Sequence, residues 1–122
     1  GLAPHFEDLE KQMTAILEAL FSRRAEVTSL AADMIGEGLP TRLDWLESWL
    51  GTAIRLRSLG NETRLTLPGG ALLQRTAAAV NITMAFRLLD RMREARRLLE
   101  GNAAPQLVVE ALLVDVRTAC AA

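Results

Sequence analysis

Residues 81–116 read NITMAFRLLDRMREARRLLEGNAAPQLVVEALLVDV, and the punctuation of this stretch fixes the fold class. Asn81 stands where a helix N-cap belongs, because its side chain can accept from an amide two or three residues further on. Behind it Met84, Leu88, Leu89, Met92, Ala95, Leu98 and Leu99 recur at helical spacing, with Phe86 beside them, which predicts a helix with an apolar face. Gly101 supplies its stop. Pro105 then starts a last helix from the first-turn position, where a missing N–H costs little. That helix carries Leu107, Val108, Ala111, Leu112, Leu113 and Val116.

The same logic extends upstream. A helix from about Ala71 to Val80 presents Leu72, Leu73, Thr76 and Ala79 inward, after an irregular connection from Asn61 to Gly70 closed by Pro68-Gly69-Gly70. Pro40 opens a longer helix that ends at Gly60-Asn61. Its apolar residues (Leu43, Trp45, Leu46, Trp49, Leu50, Ala53, Ile54 and Leu56) cover more than one stripe, so it is expected to be buried on two sides and central. A short helix covers Val27 to Ile35 and breaks at Gly36-Glu37-Gly38. After Pro4, the residues Phe6, Leu9, Met13, Ile16, Leu17, Leu20 and Phe21 form one stripe. Glu7, Asp8 and Glu10 are expected in the first turn of that helix, where the helix dipole favours negative charge. The expected fold is all-α, a compact bundle or array of about six helices in one domain spanning residues 1–122.

Composition fits and narrows the function. Half of the 122 residues are hydrophobic, too many for a disordered tail. Aromatics make up only 4% and tyrosine is absent, so the core is built from aliphatic side chains. The net charge of −1 and a pI near 5.9 give no case for nucleic acid as a direct ligand. The charge is nonetheless uneven: residues 1–50 hold nine acids and four bases, the remainder ten bases and six acids. One cysteine excludes an internal disulfide and fits a reducing cytoplasm. No apolar run approaches the ~20 residues of a membrane span, and no signal peptide is visible. A start at Gly1 rather than methionine reads as a fragment of a longer protein.

The chemistry of catalysis is not found. A phosphate-cradling loop needs converging backbone amides and a lysine, but Lys11, the only lysine, lies in the first helix with no glycine near it. A zinc site wants three or four Cys or His ligands at short spacing, whereas His5 and Cys120 stand near opposite ends. No metal, cofactor or catalytic residue is therefore expected. The Cys120–His5 pair belongs to chain ends, which do not hold catalytic geometry.

Three surfaces remain. The arginines Arg87, Arg91, Arg93, Arg96 and Arg97 form a basic run, but Asp90, Glu94 and Glu100 are interleaved at pairing distance. Trp45 and Trp49 lie one turn apart, as core, as the anchor of a contact between subunits, or as a platform on which a ligand stacks. The last helix is apolar almost all round, so it is either central or covered by another chain.

At this point the residues carry a resemblance. The run Ala95-Arg-Arg-Leu-Leu-Glu-Gly101, followed by Asn102-Ala-Ala-Pro105-Gln-Leu-Val-Val-Glu110-Ala-Leu-Leu113, resembles the end of a bacterial clamp-loader collar domain. The segment Leu39-Pro-Thr-Arg-Leu-Asp-Trp-Leu-Glu-Ser-Trp-Leu50, continuing to Ile54-Arg-Leu-Arg57, is similar to the C-terminal domain of the delta-prime subunit of DNA polymerase III. One departure is Ala104, where the family often has a capping asparagine; an alanine cap is worse by about 1 kcal/mol.

The resemblance implies a cytoplasmic, non-catalytic assembly domain. It would help form the pentameric collar of the machine that loads the sliding clamp onto primed DNA. The implied partners are the tau/gamma and delta subunits, without membrane or direct DNA contact. The expected interface residues are Leu107, Val108, Leu112, Arg87, Arg91 and Trp49. The alternatives are the collar domain of tau/gamma or delta, a DNA-binding or regulatory module using the Arg87–Arg97 face, and a small helical enzyme using Arg and Glu across a dimer.

Overall fold

A computed structural model describes residues 2–59 and 70–120, with side chains from residue 7 onward. Six helices fill these residues: α1 (Leu2–Ser22), α2 (Val27–Met34), α3 (Leu39–Leu59), α4 (Gly70–Ala79), α5 (Ile82–Glu100) and α6 (Pro105–Cys120). Among the described residues there is no strand. The expected connection from Asn61 onward lies outside the described residues, apart from Gly70, which opens α4.

The capping signals locate the ends well. Asn81 caps α5: its Oδ1 accepts from the Met84 N–H at 3.0 Å. Gly101 ends α5 with its N–H on the Arg97 carbonyl at 3.2 Å, but at φ −87°. The stop therefore does not use the left-handed conformation that favours glycine at helix ends. Pro105 opens α6 despite Ala104 before it, whose carbonyl takes the Val108 N–H at 3.2 Å.

Two local expectations need correction. α1 begins at Leu2, so Glu7, Asp8 and Glu10 lie beyond its first turn, which holds no acid. In that position they gain little from the helix dipole. The inner face of α4 is Leu72, Thr76 and Ala77 rather than Ala79, and Ala79 is exposed.

α3 is buried on more than one side, as its double stripe requires, and packs against α4, α5 and α1. The middle of the fold, however, belongs to α6. It packs against α5 and α2 most extensively and also touches α1 and α4. Val109, Leu112, Leu113, Val116, Ala119 and Cys120 of α6 are all buried. They join Met13, Leu17, Leu20, Met34, Leu46, Leu50 and Leu88 in one continuous aliphatic cluster. Full burial of each such leucine is worth about 1.5–3 kcal/mol. Although α6 is the last helix of the sequence, it does not lack internal neighbours. Short links let the chain fold back, so the last helix still slots between earlier ones.

Candidate functional site

The arginine run on α5 divides into paired and unpaired members. Arg96 reaches across to α3, with Nη2 2.7 Å from Asp44 and 3.0 Å from Glu47. Arg91 holds Asp115 of α6 at 2.7 Å. Arg93 pairs with Asp90, and Arg97 with Glu94. Arg87 makes no ion pair among the described residues, and neither does Arg117 on α6. Most of the expected basic patch is therefore neutralised in place. Two of its contacts (Arg96 to α3 and Arg91 to α6) tie α5 to its neighbours.

The tryptophans form a ladder rather than a platform. Trp49 is buried and stacks between Phe21, at 6.2 Å, and Trp45, at 6.3 Å between ring centroids. Trp45 is half-buried, and its Nε1 donates to Glu10 at 2.8 Å. This satisfies the polar edge that an indole must place when it packs. The ladder joins α1 to α3.

His5 lies outside the described side chains. Cys120 does not fray: it is buried at the end of α6, and burial pushes its thiol up to about 12, so the reactive thiolate is disfavoured. Beside it a groove of about 310 Å³ runs between α1, α4 and α6, with Arg75 and Glu18 paired at 2.6 Å along its wall. The one buried polar residue among those described, Thr76, donates its hydroxyl to the Leu72 carbonyl at 2.8 Å. No cluster of metal-ligating side chains occurs among the described residues. In the same residues no helix is long and apolar enough to cross a membrane.

The expected interface set splits by burial. Leu112 and Trp49 are core residues of this chain, 3% and 7% exposed. Val108 is half-buried, while Arg87 and Arg91 are exposed. Leu107 is 68% exposed, so it and Leu112, grouped together from the sequence, point to opposite sides of α6. Four large apolar side chains that stand exposed escaped the expected set: Val114 on α6, Phe86 and Leu98 on α5, and Leu59 at the end of α3. Helical arithmetic could have found Val114, which lies seven residues after Leu107 and so on the same face.

Comparison with known proteins gives one positive result. A family model described as "DNA polymerase III, delta subunit, C terminal" matches residues 4–118. No curated protein and no solved structure matches the chain.

Proposed function

The chain belongs to the family of C-terminal domains of the DNA polymerase III delta subunit, and from that membership we propose that it is a non-catalytic assembly domain of the replication clamp loader. The match over residues 4–118 carries this reading. The geometry supports it from a second direction. On α5 the arginines Arg91, Arg93, Arg96 and Arg97 are held in ion pairs, whereas the apolar Leu107 and Val114 stand exposed on the outer side of α6. A domain arranged this way is suited to holding a neighbour. In this reading residues 1–122 are one oligomerisation domain within a longer cytoplasmic protein, and its partners are other clamp-loader subunits such as tau/gamma.

The family description names delta, which fits the delta alternative more directly than the delta-prime expectation. The delta-prime reading rested on the Trp45–Trp49 segment. That segment's tryptophans serve a packing ladder, which says little about whether the chain is delta or delta-prime. We therefore favour delta.

The test is reconstitution. The full-length protein that contains this domain, mixed with tau/gamma and with the complementary delta or delta-prime subunit, should give one complex of defined stoichiometry by light scattering. The same protein lacking residues 1–122 should stay out of the complex. Full assembly without the domain would overturn the proposal. The partner that completes the complex also distinguishes delta from delta-prime.

A further inference from the structure

We infer that α4 is the part of this fold that opens first, hinged at its junction with α5 and latched by the Glu18–Arg75 pair, and that its opening uncovers Cys120. The helices are held unequally. Of the ten residues of α4, Gly70, Leu72, Thr76 and Ala77 are buried, so Leu72 is its one large apolar side chain fully in the core. By comparison α6 buries Val109, Leu112, Leu113 and Val116, and α5 buries Leu88 and Met92. The cost of opening follows the apolar surface exposed, and a segment that buries little of it opens before the whole molecule does.

Position adds to this. α4 leans mainly on α3 and touches α6 far less. On its side toward α1 and α6 lies the groove of about 310 Å³, lined by Leu72, Arg75, Thr76 and Ala79 of α4 and by Cys120. A helix that borders open space has few atom contacts to lose on that side. The polar ties of α4 to other helices include two at the surface. Glu18 of α1 holds Arg75 at 2.6 Å, with the side chains 37% and 66% exposed, and Arg57 of α3 donates to the Ala78 carbonyl at 2.9 Å. Exposed ties of this kind contribute little and are screened by salt. The C-terminal end is fixed instead. Val80 is buried, the Asn81 N–H donates to the Ala119 carbonyl at 3.1 Å, and the Asn81 side chain caps α5. The hinge therefore lies at Ala79–Val80. Cys120 is 2% exposed while α4 is closed. Salt, or a charged group that draws off Glu18 or Arg75, shifts the population toward the open state.

Alkylation by iodoacetamide of the full-length protein containing this domain reads the open state, with modification at Cys120 followed by mass spectrometry. The wild-type thiol should react faster than global unfolding allows. Its rate should also rise less steeply with urea than the global transition does, because opening one helix exposes less surface. At low salt Glu18→Gln and Arg75→Gln should each speed the reaction about two- to fivefold, while the circular-dichroism melt stays near wild type. High salt should bring the wild-type rate up to that of the variants. A rate that tracks global unfolding in size and urea dependence overturns the opening. A fast rate that neither variant nor salt changes overturns the latch, and shows that the end of α6 frays without α4.

Discussion

Raising the pH above about 9 should destabilise this domain through one buried thiol. Cys120 closes α6 with 2% of its surface exposed, and loss of hydration raises its pKa from 9.0 to about 12. In the unfolded chain the proton leaves near the ordinary value; in the folded chain it stays. Across the window from 9 to about 12 the unfolded state therefore binds fewer protons than the folded one, and stability falls as pH rises. Below the lower limit the contribution is fully present; above the upper limit it has been lost. Each pH unit inside the window removes about 1.4 kcal/mol, so the step from pH 8 to pH 10.5 should cost about 2 kcal/mol.

Urea unfolding followed by tryptophan fluorescence can read this loss, since Trp45 and Trp49 sit in the α1–α3 ladder. Composition makes the experiment clean: the chain has no tyrosine and a single lysine. Cys120→Ala should flatten the alkaline limb while changing stability at pH 8 only modestly. A wild-type midpoint that holds steady to pH 10.5, or a Cys120→Ala protein that falls just as steeply, would refute burial as what holds the proton.

Three further outcomes follow from the packing. Leu112→Asp should abolish the cooperative melt, because an unpaired buried carboxylate costs several kcal/mol against a total stability of about 5–15 kcal/mol; a native-like melt would show that Leu112 is not core. Asn81→Ala should cost about 1 kcal/mol in urea unfolding by removing the α5 cap, and Asn81→Ser should restore most of it. Arg96→Met should cost about 1 kcal/mol by releasing α5 from Asp44 and Glu47, with the loss shrinking in high salt.

Helix boundaries were legible because they are written locally. Asn81, Gly101 and Pro105 each act through their own backbone and that of the next turn, and all three mark the ends they were expected to mark. Burial along α3 was legible for a similar reason, since a helix with two apolar stripes needs two neighbours. The place of α6 was not. Whether an all-apolar helix is wrapped by its own chain or by another depends on how the links fold back, and neither composition nor period records that. Ion pairing on α5 was half legible. The i, i+3 pairs Arg93–Asp90 and Arg97–Glu94 follow from spacing, but Arg96 finds Asp44 and Glu47 about fifty positions away.

The consequence for the candidate interface lies in the two sides of α6. Leu112 and Leu113 face the core while Leu107, Ala111 and Val114 face out, so one helix both completes the fold and presents an exposed apolar face. A neighbour that held that face would hold the element against which α1, α2, α4 and α5 all pack. Binding there stabilises the folded state by mass action. Destabilising the core should in turn weaken assembly even when no interface residue is touched. An assembly defect alone therefore cannot place a residue at a subunit interface. The pair that separates the two effects is Leu107→Asp against Leu112→Asp: the first should leave the melt intact and lose the partner, the second should lose both.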